Sequence, residues 1–146
     1  MKLGFLATIS LIAPLFLVAP IKAENPQHVQ QLLSTGECFQ CDLSGADLSG
    51  AHLIGADLRE ANLQGANLYQ ANLEGADLEG ANLYQANLTE AFLTNATLRE
   101  SNLNSVNLTA AIIYDADVSG ALMNDLTITD AEIFNTQIGI GGSYDQ

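Results

Sequence analysis

The chain has 146 residues, enough for one domain, and its 17 Asp and Glu residues outnumber its four Lys and Arg residues to give a net charge of −13. Direct binding to nucleic acid or to an anionic membrane surface requires cations and is therefore excluded as the main activity. The acidity permits attraction to a basic partner or mimicry of nucleic acid, and it also favours solubility.

Residues 1–23 are predicted to form a secretory signal peptide. Lys2 precedes an apolar run, Leu3–Pro20, and the small residue Ala23 stands before the polar Glu24. We expect cleavage after Ala23, with no stable membrane insertion afterwards; an uncleaved anchor is the alternative, because the run is as long as a short membrane span. Cleavage would leave two arginines against 17 carboxylates, a net charge of −15.

Residues 24–37 are predicted to form a short capping helix. Asn25 suits the cap, Pro26 the first helical position and Gly36 the end of the helix. One face of this helix is apolar: Val29, Leu32 and Leu33. We expect the helix to cover the open edge of the structure that follows it. His28 is expected to face solvent and is assigned no chemistry.

Cys38 and Cys41 are the only cysteines. A zinc site needs about four ligands, and His28 and His52 are too few and badly placed to complete one. A thioredoxin-like motif needs a βαβ context that is absent. In an exported protein, the pair favours a structural disulfide or two buried thiols, with redox activity left open.

A strict five-residue repeat fills residues 38–140. Between residues 46 and 88 it reads ADLSG AHLIG ADLRE ANLQG ANLYQ ANLEG ADLEG ANLYQ ANL. On a helix, five residues advance about 500°, which would scatter the leucines around the axis. In a strand, an odd period would send successive leucines to opposite faces. The chain must therefore turn once per repeat, which predicts a solenoid.

The A-(D/N)-L-x-x phrase resembles the pentapeptide-repeat family. That resemblance implies an all-β solenoid, a right-handed quadrilateral β-helix with four repeats per coil and about five coils here, preceded by the short N-terminal capping α-helix. The helix and the CFQCDLSGADLSGA segment after it are similar to exported cyanobacterial members of the family, which implies a periplasmic or thylakoid-lumenal location.

The central residue of each repeat, and the residue two before it, are expected to point inward. There are 20 central residues from Leu43 to Ile138, and 15 of the 20 paired small positions are alanine, so each repeat supplies one large and one small side chain to fill the axis. The predicted core is Leu43, Leu48, Leu53, Leu58, Leu63, Leu68, Leu73, Leu78, Leu83 and Leu88.

Reading outward positions 20 residues apart places one apolar cluster on the third of the four faces: Phe92, Ile112, Tyr114 and Phe134. An exposed apolar cluster predicts a partner-binding patch. The alternative is that the chain after residue 138, which includes a short polar tail at residues 141–146, folds back over the cluster. Because no sequence of helix length remains to cap the last coil, a homodimer through this end is also predicted.

No catalytic, metal-binding or cofactor-binding constellation is present in the sequence. The sequence therefore predicts a non-enzymatic exported protein that serves as a rigid structural or protein-interaction module. The alternative is an acidic nucleic-acid mimic that binds a DNA-handling protein, as the family's gyrase inhibitors do. The signal segment counts against that alternative, because gyrase is cytoplasmic.

Overall fold

The computed structural model describes residues 25–138. The predicted signal peptide, residues 1–23, and the predicted tail, residues 141–146, lie outside the described residues. Within residues 25–138, no helix is both long and apolar enough to cross a membrane.

The described part of the chain opens with one helix, α1 (Pro26–Thr35). The side chain of Asn25 caps its first turn by accepting a hydrogen bond from the Gln27 N–H at 3.1 Å. Gly36 ends the helix in the left-handed region, at φ 74°, and its N–H donates to the Leu32 carbonyl at 2.9 Å. Leu32 is the residue that α1 buries against the coils.

From Glu37 onward the chain winds in parallel coils of 20 residues. The first backbone bridge joins Glu37 to Asp57, and every bridge above it has the same offset of 20. The two regular strands, β1 (Ile112–Tyr114) and β2 (Glu132–Phe134), pair in parallel with that offset as well. Each side of a coil has only two or three residues between turns, so most sides form a single bridge rather than a strand.

Each repeat ends in a tight turn. In the first such turn after Leu43, the Ala46 N–H donates to the Leu43 carbonyl at 3.0 Å, and Gly45 has φ 69°. A positive φ at the third turn residue is the signature of a type II turn. Glycine occupies only seven of the 20 equivalent positions between residues 40 and 135, so the coil imposes this conformation on larger residues, including Ala110 at φ 54°.

The core is a single column along the axis. The central leucines of the lower coils are each at most 2% exposed: Leu43, Leu48, Leu53, Leu58, Leu63, Leu68, Leu73, Leu78, Leu83 and Leu88. The paired alanines of these coils are buried beside them, apart from the partly buried Ala51. Burial falls in the last coil, where Met123 and Ile128 are only partly covered, because no further coil lies above them among residues 25–138.

At the lower end of the column, His28 is not the solvent-facing residue expected. Its Nδ1 accepts the backbone N–H of Asp42 at 2.9 Å. One coil higher, the equivalent N–H of Asn62 donates to the Cys41 carbonyl below it. The first coil has no coil beneath it in the described chain, so α1 supplies the missing acceptor through His28.

At the upper end, the last predicted repeat, centred on Ile138, does not join the ladder of bridges. In lower coils the inward small residue closes its turn, as the Ala111 N–H does with the Leu108 carbonyl at 3.0 Å. The Ala116 N–H instead donates to the Thr136 hydroxyl at 3.0 Å. The same hydroxyl lies 3.3 Å from the Ile113 carbonyl, so Thr136 stands between the two backbone groups that would close this turn, beside a cleft of about 490 Å³.

Candidate interaction surface

The residue before each centre defines four outward faces. The first carries Asp42, Asn62, Asn82, Asn102 and Leu122; the second Asp47, Asn67, Asn87, Asn107 and Thr127; the third His52, Asn72, Phe92, Ile112 and Glu132; the fourth Asp57, Asp77, Thr97 and Asp117. The four sets differ in chemistry, and only the third carries more than one large apolar residue, Phe92 and Ile112.

The first face is an amide ladder. The Asn82 Nδ2 donates to the Asn62 Oδ1 at 3.3 Å, and the Asn102 Nδ2 donates to the Asn82 Oδ1 at 3.0 Å. The same Asn82 Oδ1 accepts the Tyr84 N–H at 3.2 Å and so holds its own turn. These side chains are committed to stacking the coils, which assigns them a structural role.

The amide ladders have a direction. Five amides donate toward the first coil, and the two ladders begin there on Asp42 and Asp47: the donors are Asn62, Asn82 and Asn102 on the first face and Asn67 and Asn87 on the second. A carboxylate suits that place because it only accepts hydrogen bonds. The side-chain and backbone hydrogen bonds of Ser49 lower the pKa of Asp47, which keeps it in the accepting, ionised form.

The fourth face carries paired charges. Arg59 holds Asp57 through two hydrogen bonds, at 2.8 and 2.6 Å, and lies 3.8 Å from Asp77. Arg99 pairs with Glu79 across one coil at 2.7 Å. The hydrogen bond from Arg59 lowers the pKa of Asp57. No group of His, Cys, Asp or Glu in the described part of the chain is arranged to hold a metal ion.

The third face carries the apolar patch, which consists of Phe92, Ile112, Tyr114 and Phe134. Phe92 and Ile112 are bridge partners on neighbouring coils, and Tyr114 and Phe134 are paired in β1 and β2. The Tyr114 and Phe134 rings meet edge to face, with centroids 6.3 Å apart. Phe92 is 43% exposed and Phe134 is 68% exposed. The four side chains therefore form one contiguous surface across three coils.

Glu132 lies within the third face beside the patch. It is the register partner of Ile112, and its Oε2 accepts the Tyr114 hydroxyl at 2.5 Å. This hydrogen bond raises the pKa of Tyr114 and restrains its ring. Three of the four patch residues thus lie on the paired strands β1 and β2, and one of them, Tyr114, is held by a polar contact.

Other large apolar side chains are exposed singly on different elements: Leu33, Phe39, Ile54, Tyr69 and Leu122. None of the five is a bridge partner of another in the described ladder. Phe39 lies under the Arg59 guanidinium, which is 5.5 Å from the ring centroid. Single exposed residues of this kind are normal on a protein surface.

Cys38 and Cys41 are joined by a disulfide, with their Cα atoms 5.2 Å apart. Both are buried, at 0% and 4% exposure. Cys38 fills a central position and Cys41 the following small position, so the bridge spans the first turn of the column. The Cys38 Sγ also lies 3.4 Å from the His28 carbonyl of α1.

The family model for pentapeptide repeats matches the chain in eight copies, over residues 41–80, 66–104, 76–113 and 86–125. The chain belongs to the pentapeptide repeat family. It therefore has the right-handed quadrilateral β-helix of that family, as the resemblance implied. No curated protein matches the chain in sequence.

Solved structures include several similar pentapeptide repeat proteins. One from the Arabidopsis thaliana thylakoid lumen is 32% identical, with a TM-score of 0.52, over 80% of this chain and 75% of its own. One from Nostoc PCC 7120 is 26% identical, with a TM-score of 0.51, over 75% of this chain and 95% of its own. QnrB1, a plasmid-mediated fluoroquinolone resistance protein, shares the fold at 24% identity and a TM-score of 0.56, over 68% of this chain and 51% of its own.

Two features of this pentapeptide repeat protein were missed in the sequence. The contact of Phe39 with Arg59 could have been found from the 20-residue offset, because Phe39 directly follows the central position of Cys38 and so aligns with Arg59. The hydrogen bond of His28 had no local signal, because His28 lies 14 residues from its partner Asp42.

Proposed function

We propose that this protein is an exported, non-enzymatic interaction module that presents the apolar patch to a protein partner in the periplasm or thylakoid lumen. The observation that supports this most is the contiguity of the patch on a column whose first two faces are committed to amide ladders. Pentapeptide repeat proteins are generally structural and interaction modules rather than enzymes, which agrees with the proposal.

The backbone supports the same role. Repeats within the ladder donate backbone hydrogen bonds to the coil above and the coil below, as Leu63 does to Asn82 and Asn62 does to Cys41, both at 2.8 Å. A column joined in this way changes little when a partner binds, so the entropy cost of binding is small.

The patch is tested with a Phe92→Ser, Phe134→Ser double variant. Each phenylalanine contributes about 1.5–3 kcal/mol if fully buried by a partner, so we expect at least about a tenfold loss of partner captured from the exported fraction. Phe39→Ser is the matched control and should leave capture unchanged, because Phe39 is also an exposed phenylalanine but lies under Arg59, away from the patch. Wild-type capture by the double variant would refute the patch as the binding surface.

Export is supported by the thylakoid-lumen relative and by the signal-like segment at residues 1–23. Cell fractionation combined with the intact mass of the recovered protein tests it. We expect an exported species that begins at Glu24. A cytoplasmic species that retains residues 1–23 would contradict export.

We also propose that the column end formed by residues 119–138 is a contact between two copies. Its inward residues are only partly buried in the described chain: Met123, Ile128, Ile133 and Ile138. Sedimentation over a range of concentrations should show a dimer that Ile128→Lys dissociates, with circular dichroism confirming that the variant is folded. A concentration-independent monomer would exclude this contact.

The Cys38–Cys41 bridge is proposed as a structural disulfide that fixes the junction of α1 with the first coil. Its burial and its contact with the His28 carbonyl support this. Alkylation of the unfolded, unreduced protein should add no mass. Two alkyl groups in protein purified from the exported fraction would indicate free thiols instead.

The second candidate is an acidic nucleic-acid mimic that binds a DNA-handling protein such as gyrase. The net charge of −13 on the full chain favours it. The fourth face weakens it, because Arg59 and Arg99 neutralise carboxylates there. Competition with a DNA duplex for purified gyrase would support mimicry, whereas no displacement would exclude it.

A further inference from the structure

The partner's chemistry is indicated by what surrounds the apolar patch. Five exposed carboxylates border it: Glu74, Glu90, Asp115, Asp130 and Glu132. Glu90 and Asp130 are the third residues of turns that lead into the third face, and Asp115 is the third residue of a turn that leaves it. Glu74 stands in the same column as Tyr114 and Phe134, two coils below Tyr114. The Asn72 side chain accepts a hydrogen bond from the Glu74 N–H. The four apolar side chains of the patch are therefore surrounded by negatively charged groups.

No cation of the described chain compensates this border. After residue 24 the sequence contains only two Lys or Arg residues, Arg59 and Arg99. Both lie on the fourth face, where they are paired with Asp57 and Glu79 at 2.6 and 2.7 Å. The negative potential around the patch is thus left for a partner to neutralise.

We propose, resting on the interaction role assigned above, that the patch binds a basic amphipathic peptide segment, in which apolar side chains alternate with or are flanked by Lys or Arg. The apolar side chains of such a segment would cover Phe92 and Phe134, and its cations would meet the bordering carboxylates. The buried apolar side chains would supply most of the affinity. The charged border would orient the peptide and raise its rate of association.

A second copy of this chain fits the patch poorly. Face-to-face contact of two patches would bring ten carboxylates together without an opposing cation from the third face. An acidic or uncharged apolar segment would leave the border unneutralised. Among segments with apolar side chains that could cover the patch, charge complementarity therefore favours a basic one.

The probes are three short fluorescent peptides: one alternates leucine with lysine, one leucine with glutamate and one serine with lysine. We expect the protein to raise the fluorescence anisotropy of the leucine–lysine peptide and of neither other peptide. Added salt should weaken it, because exposed charges are screened within about 10 Å at 0.1 M salt.

Two double variants separate the patch from general acidity. Asp115→Asn, Glu132→Gln removes two border charges, and we expect about a tenfold loss of affinity. Glu60→Gln, Glu100→Gln removes two charges from the turns that follow the fourth face and should change affinity less than about twofold. Equal losses in the two variants, or equal binding of the leucine–glutamate peptide, would overturn the proposal.

The remaining outcomes are also decisive. One outcome is that no peptide binds while the Phe92→Ser, Phe134→Ser variant still captures less partner than the wild type. In that case the interaction role stands, and the proposal of a basic partner is wrong. If neither assay responds, both fail. Self-association that this variant abolishes would make a second copy the occupant. Peptide binding only after deletion of residues 141–146 would make the protein's own tail the occupant.

Discussion

In the amide ladder of the first face, Asn82 donates to the coil below and accepts from the coil above, and this direction can be tested by mutation. In Asn82→Asp, the ionised side chain can still accept from the Asn102 amide and the Tyr84 N–H, but it can no longer donate to the Asn62 Oδ1, 3.3 Å away. One lost hydrogen bond costs about 1 kcal/mol, and two acceptors left facing each other on a half-buried surface cost about 1 kcal/mol more. We expect a loss of about 2 kcal/mol in unfolding free energy at neutral pH, or roughly 5–10 °C in Tm.

The loss should depend on pH with a defined sign. The Asn62 Oδ1, an acceptor 3.3 Å away, disfavours the ionised form of the introduced carboxyl, whereas the Tyr84 N–H and the Asn102 amide favour it. We expect the facing acceptor to dominate, so that the folded pKa lies above the unfolded value of about 3.9. Protonation restores a donor to the ladder. The variant should therefore come closest to wild type below about pH 4 and lose stability relative to it as pH rises through the folded pKa. Urea unfolding at several pH values measures this difference.

Asn72→Asp is the matched control. Asn72 is similarly half-buried, its Oδ1 accepts the Glu74 N–H at 3.0 Å, and no amide donation from it is found within the described chain. The substitution keeps the accepting role and adds the same charge, so we expect a loss below about 0.5 kcal/mol. Equal losses in the two variants, or no pH dependence in Asn82→Asp, would show that ladder direction does not govern stability.

Three other variants test the core, the turns and the patch. Leu73→Ala removes a fully buried central side chain and should cost about 2–5 kcal/mol in a denaturation assay, whereas Leu122→Ala, which is 54% exposed, should cost less than about 1 kcal/mol; similar losses would argue against a closed axis. Gly75→Ala meets no atom within 4 Å but holds φ 64°, so about 1 kcal/mol of strain is expected, and an unchanged Tm would contradict it. Glu132→Gln should lower the pKa of Tyr114 toward its ordinary value in an absorbance titration, since the hydrogen bond to the carboxylate raises it; an unmoved titration would show that this contact does not form.

Much of the fold followed from local sequence. The five-residue period excluded a continuous helix or strand, and the A-(D/N)-L phrase pointed to the family and thus to its coil of four repeats. The candidate patch followed from the same offset, since Phe92 and Ile112 are 20 residues apart, as are Tyr114 and Phe134. The border of carboxylates was also present in the sequence, but it was recognised only when the turns were placed around the third face.

The two ends of the column were harder to predict, because the repeat rule does not apply there. His28 completes the first coil through a contact 14 residues away. Thr136 is one of the five inward small positions that are not alanine, and its hydroxyl takes the N–H that would close the turn of Ala116. A hydroxyl in place of a methyl group changes which backbone groups pair, and periodicity alone contains no information on that choice.

The sequence by itself determined the period, the inward pairing of leucine with alanine and the excess of acidic charge, because each of these is a property of residues a few positions apart. The tertiary structure decided which coils are covered, which carboxylates are neutralised and which side chains remain available to a partner. Those outcomes depend on contacts between residues 14 to 20 positions apart. Such contacts form only when successive coils stack, so they belong to the column and not to any single repeat.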